Sequence, residues 1–329
     1  MKTKTSAIVG DIVLVVLIIG GAIWLFAAGF PPANWTSDGT LLPLVVDWSR
    51  IIIGLTAVGV IVGLFVAWTM RRGRDRIVNG DVVRYRGYER LVHWALALGF
   101  ILAFGTAAWL LRWVGLDPTP EIRPALYVIH FIGSALIVVS AVSIAASSRV
   151  GGQDALFPRW RDVGPAIARL FGYLGIYGEP GVLGLRLRMV WLQEALAAIG
   201  IKPAKREGKF LAVEKVFSFT PLAILTLIVV VTGLIKAARY FFAVPTDVLY
   251  WTTWLHDLST WLTLIVVGLH LAAIFLVPRN WPGIRAMVLG RVSLRHVAEE
   301  FPAWADELRQ PEPPPATPEG VAAHGTVGD

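Results

Sequence analysis

The chain has 329 residues, is 56% hydrophobic with a mean hydropathy of +0.64, and carries a formal charge of +7. Its apolar residues lie in long uninterrupted runs, which a soluble domain of this size would break with charge, so the class is a polytopic membrane protein. The absence of cysteine excludes disulfides, thiol catalysis, cysteine-ligated iron–sulfur clusters and covalent c-type haem attachment. No glycine-rich dinucleotide motif or Walker loop is present, and the basic residues flank apolar runs rather than forming a nucleic-acid patch.

Six apolar spans are expected, near 8–29, 47–70, 91–111, 125–147, 216–235 and 251–277. Lipid cannot satisfy loose backbone groups, so each should be a helix. The first begins with Lys2 and Lys4 and ends in small residues, as a cleaved signal peptide does; Asp11 and the length of the run favour an uncleaved helix. Arg71, Arg72, Arg74, Arg76, Arg84, Arg86 and Arg90 crowd the connection after the second span, and loop 148–215 and segment 278–310 are also basic. The opposite side holds only Arg50, Arg112, Arg123, Lys236 and Arg239. The positive-inside rule therefore places both termini in the cytoplasm of a bacterial-type inner membrane, unless the first span is removed. Loop 148–215 is too long for a simple connector, and its 161–174 portion reads as a short amphipathic helix on the lipid surface. The proline-rich tail 311–329 reads as disordered. No internal repeat is evident. The expected domains are a two-helix extension over 1–83, a core over 84–310, and the tail.

The histidines carry the chemistry. His256 and His270 are fourteen residues apart on the sixth span, nearly four helical turns, so they share a face about 21 Å apart along the axis. Topology puts His93 near the inner end of the third span and His130 near the outer end of the fourth. His93 then pairs in depth with His270, and His130 with His256. Two bis-imidazole pairs at two levels suit two low-spin b haems, whose iron needs both axial positions filled. The fold class is thus all-α, with a four-helix dihaem bundle and two further N-terminal transmembrane helices. A single intramembrane histidine more often bonds a neighbouring helix or lines a proton path; four at matched depths argue for haem. His296 and His324 read as surface residues. Gly99, Gly105, Gly133, Gly233 and Gly268 would clear space for porphyrin or simply let helices pack. Arg112, Arg123, Lys236 and Arg239 sit at outer span ends, where they would pair with haem propionates or snorkel to headgroups.

Over about residues 84–309 the sequence resembles the gamma subunit of respiratory formate dehydrogenase and its relatives. The resemblance rests on RYRGYERLVHW at the third span, His130, the run HDLSTWLTLIVVGLH, and GIRAMVLGRVSLRHVAEEFPAW after it. It implies an electron-conducting anchor subunit without substrate-oxidising chemistry of its own. Electrons would come from an exterior molybdenum- or tungsten-dependent catalytic subunit, through an iron–sulfur subunit with a membrane-anchoring helix. They would cross two b haems to a quinone, menaquinone or ubiquinone, near His270 on the cytoplasmic side. The family's quinone loop resembles KFNAGQK, whereas this chain has Lys209-Phe210-Leu211-Ala212-Val213-Glu214-Lys215. Leu211 thus removes a hydrogen bond to the quinone, for which Glu214 and Lys215 are alternative sources. Hydrogenases and sulfur-compound reductases use similar dihaem anchors. A haem-free proton-coupled transporter or scaffold is the reading from another class; it expects midplane carboxylates that this chain lacks.

Overall fold

A computed structural model describes residues 54, 58–65, 77–112, 115, 117–150, 158–239 and 243–310. The first expected span, most of the second, the tail and His324 lie outside the described residues. Strands β1 (Ile77–Val78) and β2 (Asp81–Val83) precede α1 (Gly87–Leu110) and α2 (Arg123–Val150). Two shorter helices follow, α3 (Trp160–Tyr173) and α4 (Val190–Ala198). A π-helical turn at Glu214–Phe219 leads into α5 (Thr220–Ala238) and then α6 (Thr246–Leu276). Helix α7 (Trp281–Leu289), strand β3 (Arg291–Ser293), and helices α8 (Leu294–Glu300) and α9 (Pro302–Arg309) complete the described chain.

Four helices are long and apolar enough to cross a membrane: Gly87–Leu110, Arg123–Ala146, Glu214–Lys236 and Thr246–Leu276. They match the last four expected spans, extended by polar ends. Helix α1 starts before its apolar run because the Arg86 N–H donates to the Glu89 carboxylate at 2.7 Å, satisfying a first-turn group. The amphipathic segment expected at 161–174 is α3, whose start is held the same way by Asp162 accepting from the Arg159 N–H at 2.8 Å.

The spans form two hairpins, α1 with α2 and α5 with α6, which pack closely within themselves and touch each other sparingly. Glycine sets the first hairpin's crossing point. A Cβ added to Gly133 would lie 2.8 Å from the Gly99 carbonyl oxygen, and one on Gly99 would lie 2.8 Å from that of Gly133. Both glycines therefore serve backbone approach. Phe100, Ala103 and Ile137 fill the adjoining core, with Val230 of α5 against them. The helical residues 58–65 reach this hairpin too: Ser143 donates to the Gly59 carbonyl at 3.0 Å, and Cβ atoms on Gly59 or Gly63 would collide with α2.

The larger buried core lies outside the spans, in a cap at the ends where α1 begins and α6 finishes. Asn79 and Gly80, both at positive φ, turn β1 into β2, and Val82 of β2 then pairs with Val292 of β3. This antiparallel sheet, in the order β1-β2-β3, joins segments more than 200 residues apart. An Asn-Gly between short apolar runs is a hairpin signal; the strands it joins are too short for alternation to reveal. Val82, Val277, Val297, Phe301 and Trp304 make the cap's interior. Arg84 is buried with them, its guanidinium 4.1 Å from the Phe301 ring centre and donating to the Lys209 carbonyl at 3.2 Å. A residue that reads in the sequence as a topology signal is also a structural cation, held over aromatic faces.

Candidate functional site

Cap and hairpins put the four intramembrane histidines at two levels. His93, in the second turn of α1, is fixed from the cap: Arg90 donates to the Val288 carbonyl at 2.6 Å and the Trp94 indole to that of Met287 at 3.3 Å. Its ring meets Trp94 edge-on, with centroids 5.5 Å apart. His270, near the end of α6, lies within electrostatic reach of His93. Its Nδ1 is 3.2 Å from the Ser218 hydroxyl, which the π turn presents. At the other, open end, His256 of α6 lies within electrostatic reach of His130 of α2. These are the pairs expected from the sequence.

The open-end pair has partners that the sequence reading missed. His130 Nδ1 is 3.1 Å from the Thr106 hydroxyl and 3.1 Å from the Ala103 carbonyl oxygen. His256 Nδ1 is 2.9 Å from the Thr232 hydroxyl, and the ring also bonds the Val229 backbone. Each threonine stands 24 residues before its histidine. That constant separation across a hairpin was the available signal, but threonine in a membrane helix usually only bonds its own preceding turn. Gly233 flanks the same site, where a Cβ would lie 3.3 Å from His256 Cε1. By contrast, a Cβ on Gly105 or Gly268 would meet nothing within 4 Å.

The other expected site residues are more dispersed. Leu211 is buried in the cap core, and its N–H donates to the Glu214 carboxylate at 2.9 Å. Glu214 also lies 3.7 Å from Arg84, while Lys215 lies 3.8 Å from Asp162. Glu214 and Lys215 open the π turn that carries Ser218 to His270, so that stretch connects to the capped-end pair through the backbone. At the open end, Arg112 pairs with Asp117 at 2.6 Å and Lys236 with Asp257 at 3.7 Å. Arg123 donates to the Pro118 carbonyl at 3.2 Å. Arg239 lies in the field of Lys236, which in turn reaches His130 and His256. His296, expected at the surface, is instead half-buried edge-on to Phe301 in the cap, where burial lowers its pKa.

Among the described residues, no group of three or more His, Asp or Glu converges to hold a bare metal ion. Haem iron asks less of a protein, since porphyrin fills the equatorial positions and two imidazoles complete the shell. With Nδ1 of His130, His256 and His270 engaged by helix groups, Nε2 is the ring atom left for iron, the usual outer-shell arrangement of a ligating histidine. The donor set fits b-type haem.

Residues 84–290 match the family model for prokaryotic cytochrome b561. No curated protein and no solved structure matches the chain. The family match covers more than half of the sequence, and the chain belongs to that family. It is therefore an integral membrane b-type cytochrome of electron transfer.

Proposed function

We propose that this member of the prokaryotic cytochrome b561 family is the two-haem membrane-anchor subunit of a formate dehydrogenase-type respiratory complex. The observation that carries the reading is the pairing of four imidazoles at two levels of one bundle, three of them with Nδ1 already engaged. His130 and His256 would hold one haem at the open end, and His93 and His270 the other at the capped end. When bound, the two haems supply one-electron ferric–ferrous chemistry across the bundle.

The cap faces the cytoplasm in this reading, in keeping with its arginine-rich flanks, and both termini lie on that side. Quinone, menaquinone or ubiquinone, takes electrons near His270. Glu214 and Lys215, which open the turn bearing Ser218, are polar groups joined to that level through the backbone. Leu211, enclosed in the cap core, contributes shape and no hydrogen bond through its side chain. Lys236, beside Asp257 and within reach of both open-end histidines, is the best-placed propionate partner of the four exterior cations. The exterior iron–sulfur subunit and its molybdenum- or tungsten-dependent partner dock at the open end. Residues 58–65, packed on α2 through Gly59 and Gly63, support a fifth span; a sixth would precede it.

A pyridine haemochrome assay on the purified protein tests the core of this reading, with two b haems per chain expected. His130→Ala and His256→Ala should each remove one haem species, and His93→Ala and His270→Ala the other. Absence of a Soret band, or four variants that all keep both haems, would refute ligation. Subunits recovered with the chain decide the donor: a nickel–iron partner in place of a molybdenum or tungsten protein would overturn the formate dehydrogenase assignment and leave the haems standing.

A further inference from the structure

The open-end surroundings of His130 and His256 are copies of one another. Thr106 donates its hydroxyl proton within its own helix, with carbonyl acceptors at Leu102 (2.7 Å) and Ala103 (3.0 Å). Thr232 does the same toward Ile228 (2.6 Å) and Val229 (3.2 Å). Each threonine oxygen then meets a histidine Nδ1 from the next span, at 3.1 Å for His130 and 2.9 Å for His256. Each histidine also bonds the backbone at the equivalent position, Ala103 in one hairpin and Val229 in the other. One turn later, Ser134 and Thr260 donate to the carbonyls of His130 and His256, at 2.9 and 2.8 Å. A single offset in sequence relates every member of the first set to its counterpart in the second. Hairpin α1–α2 and hairpin α5–α6 thus carry the same side-chain pattern, an internal repeat too sparse for the sequence to display.

The hydrogen count fixes the chemistry. A threonine hydroxyl has one proton and two lone pairs. Its proton is committed to the preceding turn, so toward the imidazole it can only accept. Nδ1 must therefore carry a hydrogen in both rings, and the lone pair must sit on Nε2. The neighbouring backbone carbonyl, which can only accept, enforces the same tautomer. We propose that Thr106 and Thr232 are duplicated positioning residues that lock His130 and His256 in the Nδ1–H tautomer and present two matched Nε2 donors to one iron. The capped-end pair is built differently: His270 meets Ser218 at 3.2 Å, and His93 is held through Trp94 and the cap. The two haem sites therefore differ in ligand environment by construction, one symmetric and one not. An acceptor on Nδ1–H makes the imidazole a stronger donor to ferric iron, so the matched locks hold the open-end haem at a lower potential than the same site would have without them.

This inference rests on the haem reading above, and the test separates the two. Thr106→Val, Thr232→Val and the double variant remove the hydroxyl acceptor, leave the Ala103 and Val229 carbonyls in place, and keep the side chain's shape; Thr106→Ser and Thr232→Ser restore the hydroxyl. Haem content is counted first, and each haem is then titrated spectroscopically against potential, with the low-spin ferric signals recorded by electron paramagnetic resonance. The haem lost in His130→Ala and His256→Ala identifies the open-end signal. Each valine variant should raise that haem's midpoint and move its ferric signal, by similar amounts for the two threonines and by more in the double variant. The other haem should stay fixed, and the serine variants should return to wild type. Two bound haems with no shift in either valine variant, or a shift confined to the other haem, overturns the positioning role of the two threonines alone. A wild-type protein without haem overturns the functional reading itself.

Discussion

Glu300 ties the cap together, and its removal should loosen the capped end first. Its carboxylate accepts from Arg169 of α3 at 2.5 Å and from Arg279, at the foot of α6, at 2.7 and 2.9 Å. All three side chains are largely enclosed, with the carboxylate 15% exposed. Glu300→Ala leaves two guanidinium groups there without their shared counter-charge, a change that costs about 3–5 kcal/mol for a buried pair. Arg279 keeps a bond to the more exposed Glu179, so the lower half of that range, about 3 kcal/mol, applies. Burial alone would raise the Glu300 pKa, but Arg169 and Arg279 outweigh it and hold the carboxyl below its usual 4.5. A depressed folded-state pKa gives stability that is complete above the unfolded value and lost as pH falls through the folded one. Wild-type protein should therefore be unaffected at neutral pH and lose cap stability below pH 4.5, while the variant starts lower and lacks that acid step. Tryptophan fluorescence of the detergent-solubilised protein, followed through heat and pH, measures both. A variant as stable as wild type at pH 7, with the same acid profile, would refute the clamp.

Two other outcomes follow from geometry. Gly133→Ala places a Cβ 2.8 Å from the Gly99 carbonyl, which does not yield, and should cost about 1–3 kcal/mol in thermal unfolding, whereas Gly105→Ala meets no atom and should leave stability unchanged. The arm between α3 and α4, with the first turn of α4, exposes Leu183, Leu185, Leu187 and Trp191 beside Arg186 and Arg188, and the arm lies close to α6. That combination belongs at an acyl–headgroup boundary. Because the chain has no cysteine, Leu185→Cys can be labelled alone; in proteoliposomes its probe should be quenched by doxyl lipids, and quenching only by a water-soluble agent would place the arm in solvent.

The four described spans were legible because a long apolar run in lipid has one way to satisfy its backbone. The proximity of His93 to His270 and of His130 to His256 followed from span direction and helical rise alone. What stayed hidden depends on atoms that pattern does not encode. Thr106 and Thr232 are ordinary residues for a membrane helix until the neighbouring span brings a ring nitrogen to each hydroxyl. The glycine roles, open in the sequence, separate once distances exist: Gly99 and Gly133 admit a backbone, while Gly233 faces an imidazole. The cap was missed as a unit because its contacts join Val82 to Val292 and Arg84 to Phe301, pairings no local periodicity predicts. Leu211, read from the formate dehydrogenase-type loop as a position without a side-chain hydrogen bond, has in the fold a packing role that the motif does not display: it is a core residue of that cap.

The two ends of the bundle are thus held by different physics. Hydroxyls and carbonyls of the spans themselves fix His130 and His256, within each hairpin and without help from any loop. His93 depends on chain outside the spans, through the bonds that Arg90 and Trp94 of α1 make to α7, and His270 on the π turn that opens the α5 span and delivers Ser218. Damage to the cap should consequently pass to one histidine pair and spare the other. The Glu300→Ala variant tests this directly, since Arg279 stands nine residues after His270, just past the end of α6. The spectrum of the haem proposed for His93 and His270 should broaden or fade first on warming, with the signal proposed for His130 and His256 persisting to higher temperature. Simultaneous loss of both signals would mean that the hairpins, too, are organised by the cap.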